Sequence, residues 1–430
     1  MKSKYIAGAV LICGLIGCTN KKTALVSSIF IDSLIRNYKE PSIARSNETA
    51  LRFWKDRIHP GLPGIVSESK YAACLAMRFH LFGDIMDIKH ADSVIRKVDS
   101  DFNYKEAQAN LTMVSYSILQ HRFSEADGWL EKARHCGLKK YDLLTASFDV
   151  DFELGRYFQA SNSLRQLKSS ADYGYFFRRS KMNHLNGSLD SAVAAMMKAA
   201  NIEEGSPWLE EIALANAADL YIHAGDLHKA ADLYSRCIRM NNADFHSLQG
   251  LGWIALVHDK NDSLAEKIFS FVQTKNKLPD AWYKLTQMAE FREDRGLAIK
   301  YAKEFASRAS DTVYGNMYNK YLIELYTGIL NNYPQAEQIA KKELENRSTP
   351  QTRAWYAWTL FCNNKKKEAL DQFENNVSGK PLEALELYWM GKLMQGINKE
   401  YNAQAFFNAA VINKYDLSPA ILNDLERNSD

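Results

Sequence analysis

The sequence predicts an all-α solenoid of about ten helix hairpins, and three observations carry that expectation. An alanine recurs at Ala91, Ala126, Ala160, Ala192, Ala230, Ala265, Ala298, Ala336, Ala369 and Ala403, with a mean interval of about 35 residues. A fixed period of that length marks a stacked repeat. Four and seven residues after most of these alanines stand apolar side chains, as in Ala230, Tyr234 and Cys237 or Ala265, Phe269 and Val272. That spacing is one face of an α-helix. Composition agrees: of 430 residues, 46% are apolar and 24% charged, with only nine prolines, which describes helical core material and not linker.

The elements follow in chain order. Met1 to Lys4 carries two lysines and no acid, and the run from Tyr5 to Gly17 is uncharged. It is too short for a spanning helix, which needs about twenty residues, and reads as the apolar region of a signal peptide. The signal ends Leu15-Ile16-Gly17-Cys18, which resembles the lipobox of bacterial lipoproteins, with small Gly17 leaving room for the peptidase. Cys13 follows bulky Ile12 and is the poorer match. The resemblance implies that residues 1–17 are removed and that Cys18 becomes a lipidated N-terminus, opening a short tether over 18–26. Two or three acyl chains give a stable anchor where one does not. Thr19 after the cysteine implies the outer membrane, and Lys21-Lys22, without an acidic cluster, favours its periplasmic leaflet.

Residues 27–71 are expected to form N-terminal helices: an amphipathic one through Ile29, Leu34, Ile35 and Tyr38, then a degenerate repeat with Ala50, Trp54 and Arg57 in second-helix register. The array proper spans 72–416. Its clearest unit is IALANAADLYIHAGDLHKAADLYSRCIRMNN, residues 212–242. Leu214, Ala217-Ala218, Tyr221, Gly225, Ala230, Tyr234 and Cys237 stand where the tetratricopeptide repeat (TPR) pattern has a bulky residue, a small pair, an aromatic, a turn glycine, a close-approach alanine, an aromatic and a small residue. The chain thus resembles a TPR protein, and the resemblance implies a right-handed α-α superhelix. Gly83, Gly155, Gly187 and Gly225 fall between paired helices, where a left-handed residue ends the first one. Pro207, Pro279, Pro350 and Pro381 are placed to open first helices. The eighth unit needs an insertion before Pro334. Pro419 starts a C-terminal capping helix and polar tail over 417–430, such as a solenoid requires.

No segment carries recognisable chemistry, so an enzyme, a metal and a cofactor are all unsupported. H-E-x-x-H, G-x-S-x-G, G-x-x-x-x-G-K-[ST] and G-x-G-x-x-G do not occur. DVDFELG at 149–155 lacks the glycine and the final glutamate of a calcium loop and reads as helix. His223 and His228 read as solvated turn residues, Lys365-Lys366-Lys367 as an inter-helix loop, and Cys74, Cys136, Cys237 and Cys362 as single thiols. A net charge of +3 excludes neither sign of partner but gives no footprint for nucleic acid.

What the resemblance implies for function is a concave face lined by first helices. Carried over unit by unit, its exposed positions are Lys181, His184, Asp219, Gln249, Tyr283, Gln287, Trp358 and Lys392. A peptide or helix of an envelope protein would bind there, with Trp358 as the anchor. The expectation is a lipid-anchored TPR scaffold; the alternative is a glycan-binding outer-membrane lipoprotein of the SusD-like kind.

Overall fold

The computed structural model describes residues 23–427, except 60, 62–63, 203–205 and 398–400. The signal segment and Cys18 lie outside the described residues. Among those described, every regular element is helical. Two helices lead, α1 (Ser28–Arg36) and α2 (Ser42–Lys55). Five pairs follow: α3 (Ile65–Phe82) with α4 (Ile85–Asp101), α5 (Ala107–Leu119) with α6 (Phe123–His135), α7 (Lys140–Glu153) with α8 (Tyr157–Leu167), α9 (Tyr173–Leu185) with α10 (Leu189–Ile202), and α11 (Pro207–His223) with α12 (Leu227–Met240). Five more complete the array: α13 (Phe245–Val257) with α14 (Asp262–Lys275), α15 (Asp280–Phe291) with α16 (Arg295–Ala309), α17 (Asn319–Thr327) with α18 (Tyr333–Asn346), α19 (Pro350–Cys362) with α20 (Lys366–Asn376), and α21 (Ala384–Ile397) with α22 (Ala403–Ile412). A short α23 (Pro419–Arg427) is the last element described. The fold is an all-α superhelix of ten hairpins.

The periodic alanines explain the pairing. Ala91, Ala126, Ala160, Ala192, Ala230, Ala265, Ala298, Ala336 and Ala369 are all 0% exposed, and each sits in a second helix at its crossing with the first. A side chain of one carbon lets the two backbones approach, and the aromatic one turn later fills the space between hairpins: Tyr234, Phe269, Phe373 and Phe407 are all buried. Between paired helices, Gly83, Gly155, Gly187 and Gly225 take φ of 70°, 76°, 72° and 80°, the left-handed region that glycine enters without strain.

Several expected boundaries move. The first hairpin opens at Ile65, not near residue 72. Pro279 is the residue before α15, and Pro381 stands three residues ahead of α21, so only Pro207 and Pro350 occupy the first helical turn of a first helix. In the eighth hairpin α17 is cut to nine residues and preceded by a 3-10 turn, Thr312–Tyr314, which absorbs the irregular length. Lys366 and Lys367 belong to α20, and Lys365 at its start pairs with Glu337 across the turn.

The N-terminal helices do not form a further repeat. α2 packs on α3, but α1 lies against α14 in the sixth hairpin, where Lys267 pairs with Asp32. The chain reaches that place because the backbone N–H groups of Leu25 and Val26 each donate to the Asp259 carboxylate at 2.9 Å.

The coil also closes on itself. Lys277 N donates to Phe82 O at 2.8 Å, joining the first hairpin to the linker before the seventh. Asn346, at the end of the eighth, accepts from Phe123 N at 2.8 Å and donates to His121 O at 2.9 Å in the second. Trp253 Nε1 in the sixth donates to Tyr415 O beyond the tenth at 2.8 Å. Hairpins about half the array apart thus meet, and the inner face becomes the wall of a cavity.

Candidate functional site

The cavity has a volume of about 570 Å³ and is walled by the first helices α9, α11, α13, α15 and α17, with the chain around Glu383 and Asp416 closing one side. Lys181, His184, Asp219, Gln249, Tyr283 and Gln287 all border it. They converge because each first helix turns the same face inward as the hairpins stack. Trp358 and Lys392 do not. Trp358 stacks on Trp389, with ring centroids 6.0 Å apart and planes 7° from parallel, and its Nε1 donates to Thr327 Oγ1 at 3.0 Å. It fills the seam between the eighth, ninth and tenth hairpins. Lys392 pairs with Asp424 of α23 at 3.1 Å, so the capping helix covers that part of the inner face.

The wall mixes apolar and charged side chains, and three of its acids are held by tyrosines. Tyr234 donates to Asp219 at 2.5 Å, Tyr283 to Glu324 at 2.6 Å and Tyr318 to Asp280 at 2.7 Å. Burial raises the carboxyls of Glu324 and Asp280 above their usual range despite these donors, because an enclosed site disfavours the ionised form. His246 keeps 62% of its side-chain surface open, yet that surface borders the cavity. The Asp219 charge, 3.0 Å away, raises it to about 9. Lys181 pairs with Glu153 at 2.9 Å and lies over the Phe152 ring.

Lys284 is the exception. Its ammonium donates to Gln287 Oε1 at 3.2 Å and lies 4.4 Å from the centre of the Trp253 ring, but among the described residues it forms no ion pair. Burial lowers it to about 8. Gln249 lines the same cavity, and its Oε1 is buried with no hydrogen-bond donor among the described residues. Glu324, Asp280, Asp219 and Asp416 act on the Lys284 charge, but none of them touches it.

Sequence reasoning missed Lys284, Lys320, Tyr321 and Glu324. All four stand on first helices, and the helical period that selected Tyr283 and Gln287 extends to Lys284 and Glu324 as neighbours on the same inner face. It also missed Glu383 and Asp416, which arrive only because the coil closes. His223 is not a solvated turn residue: its side chain is 16% exposed and pairs through Nδ1 with Asp416. His228 is on the surface, 72% exposed, near Asp232. Cys74, Cys136, Cys237 and Cys362 are free thiols, and burial pushes Cys237 up to about 12, far from reactive thiolate.

No protein-family model matches the sequence, and no curated protein matches it. Solved structures of helical repeat proteins are similar at low identity. PilF of Pseudomonas aeruginosa is 13% identical, with 49% of this chain and 96% of that one covered and a TM-score of 0.37. A tetratricopeptide repeat protein from Parabacteroides merdae is 16% identical, covering 59% and 96%, with a TM-score of 0.34. Yeast Tom70 is 14% identical, covering 86% and 82%, with a TM-score of 0.37. Likeness at this level bears no weight for function, which has to be argued from the cavity.

Proposed function

We propose that this chain is a lipid-anchored helical-repeat scaffold of the bacterial cell envelope, placed at the outer membrane through Cys18, and that its cavity holds an extended segment of another envelope protein. The observation that carries the reading is Lys284, a cavity-lining ammonium that has Gln287 as its hydrogen-bond acceptor and, among the described residues, no acid in contact, although Glu324, Asp280, Asp219 and Asp416 act on it from further off. A peptide in extended form offers a carboxylate at its end or on a side chain for Lys284, and an N–H and a C=O at each residue for the other polar groups of the wall. A cavity of about 570 Å³ admits only a short segment of chain.

The anchor reading gains a location. Leu25 and Val26 are clamped to Asp259, so the lipid would leave the body beside the sixth hairpin and not ahead of the first. Six residues separate Cys18 from Leu25, a reach of at most about 25 Å. No helix among the described residues is long and apolar enough to cross a membrane.

Photo-crosslinking in native envelopes tests the capture. A crosslinker replacing Tyr321, on the cavity wall, should trap a defined protein, whereas one replacing Phe158, which is 74% exposed on α8, should not. A synthetic peptide covering the trapped segment should bind the full chain, and Lys284→Met should weaken it about tenfold or more without lowering the melting temperature. Equal trapping from both positions, or titration with a glycan panel in place of any peptide, would remove the protein-capture reading and favour the glycan-binding one. Cys18→Ser should move the protein from the membrane to the soluble fraction; retention would remove the anchor.

A further inference from the structure

Where the coil closes, side chains from three distant parts of the sequence converge. His184 lies near the end of α9, His223 is the last residue of α11, and Glu383 immediately precedes α21. One ring nitrogen of each histidine and one Glu383 oxygen all lie within 4.8 Å of one another. The two rings are 4.6 Å apart, centre to centre, and 73° from parallel, so they do not stack. His223 Nε2 stands 3.8 Å from Glu383 Oε2, slightly long for a hydrogen bond. Among the described residues no other three His, Cys, Asp or Glu side chains are gathered in this way.

From this geometry we infer a divalent transition-metal site, with zinc the best chemical match, formed by His184, His223 and Glu383. Two ligand atoms of a tetrahedral zinc ion, each about 2.0–2.1 Å from the metal, stand roughly 3.3 Å apart. The observed separations need only small side-chain rotations to reach that. Two imidazoles with one carboxylate select zinc and its neighbours over calcium or magnesium, which take oxygen ligands.

The surroundings supply what a metal-binding histidine requires. Asp416 bonds Nδ1 of His223, which fixes the ring and leaves Nε2 facing Glu383. A carboxylate behind an imidazole in this manner orients the ligand and raises its basicity. Asn413 holds the same residue from its other side, donating to His223 O at 2.7 Å. The neighbouring charges are mixed: Glu383 and Asp416 bring two negative charges, while Lys320, paired with Glu386 at 3.3 Å, also acts on Glu383 and His223.

Three protein ligands leave a fourth position for water or for whatever occupies the adjoining cavity. The ion would staple the fourth and fifth hairpins to the tenth, adding to the hydrogen bonds that already close the coil. This inference stands on the ligand set alone and survives failure of the peptide-capture reading.

The test is titration of the full, metal-stripped chain in detergent with zinc chloride, followed by calorimetry and by the visible absorption of the cobalt(II) form. One ion should bind per chain, raise the melting temperature, and give cobalt bands of tetrahedral nitrogen and oxygen coordination. His223→Gln and Glu383→Gln should each weaken binding by about 100-fold, Asp416→Asn by about 10-fold or more, and surface His228→Gln not at all. No stoichiometric binding, wild-type affinity in both ligand variants, or cobalt–thiolate charge-transfer bands pointing to a cysteine would each overturn the site. Should His223→Gln fail to fold, the wild-type cobalt spectrum and Glu383→Gln decide.

Discussion

A close helix crossing makes a prediction in which two known effects oppose each other. Gly252 lies inside α13, and a Cβ added there would stand 2.5 Å from Phe269 Cε1, 3.0 Å from its Cζ and 3.1 Å from Ile268 Cγ2. Phe269 and Ile268 are both 0% exposed, so neither has room to withdraw. Replacing glycine by alanine in a helix interior gains at most about 1 kcal/mol in backbone propensity. Forcing an extra carbon into a filled core costs about 1–3 kcal/mol. Contact at 2.5 Å with an immobile ring belongs at the upper end, so Gly252→Ala should destabilise by about 1–2 kcal/mol net. Gly128, exposed on α6 with nothing within 4 Å of an added Cβ, isolates the first effect. Gly128→Ala should stabilise by up to about 1 kcal/mol. Urea and thermal unfolding of both variants should therefore shift in opposite directions. Adding Phe269→Leu to Gly252→Ala should recover part of the loss, a coupling that independent sites do not show. Two shifts of the same sign, or strict additivity with Phe269→Leu, would refute the account of the glycine as the contact that admits the aromatic ring.

Two further outcomes follow from buried groups. Glu211 on α11 is 8% exposed, and burial, with the Asp244 charge adding to it, raises its carboxyl to about 8 although Asn241 donates to it. The folded state then keeps a proton that the unfolded chain releases near 4.5, so stability falls as pH rises from about 4.5 to about 8 and levels beyond. Glu211→Gln should be the more stable protein, by an amount that grows through that window to the order of a few kcal/mol at 1.36 kcal/mol per pH unit; a difference independent of pH would exclude the linkage. Trp358→Ala should lower the melting temperature by removing the stack between hairpins, costing about 2–4 kcal/mol for a side chain only partly buried; an unchanged melting temperature would return it to the surface role that its sequence position suggested.

How much could be read in advance depends on range along the chain. The alanine period placed ten hairpins because each crossing is local, decided by residues a few turns apart such as Ala265, Phe269 and Gly252. Four inter-helix turns were legible because glycine marks the left-handed residue. Five others use the same geometry with His121, Lys260, Glu293, Asn331 and Asn364 at φ between 49° and 63°; the two asparagines are ordinary left-handed residues, whereas Lys260 and Glu293 carry little turn signal in sequence. Six inner-face positions could be named from the helical period. Trp358 could not be told from them, since an aromatic at a first-helix position reads alike whether it faces a groove or a neighbouring hairpin. Glu383 and Asp416 were invisible for a different reason: their neighbours, His184 and His223, are up to about two hundred residues away in sequence.

Closure has one more consequence, for how the array holds together. In an open solenoid each repeat touches only its neighbours, and a local loss of packing is felt by adjoining units. Here the sixth hairpin carries α1 on its outer side, ends in a linker bonded to Phe82 of the first, and sends Trp253 to Tyr415 beyond the tenth. Damage at Phe269 therefore reaches both ends of the chain as well as the fifth and seventh hairpins. The entropic cost of such long loops grows only as the logarithm of their length, so a few hydrogen bonds and the buried Asn346 side chain suffice to hold contacts two hundred residues apart once the hairpins are formed. The local periodicity builds the hairpins, and the sparse long-range contacts decide whether their inner face is an open groove or an enclosed site. The cavity, with Lys284 on its wall and its cluster of two histidines and a glutamate, exists only in the closed form.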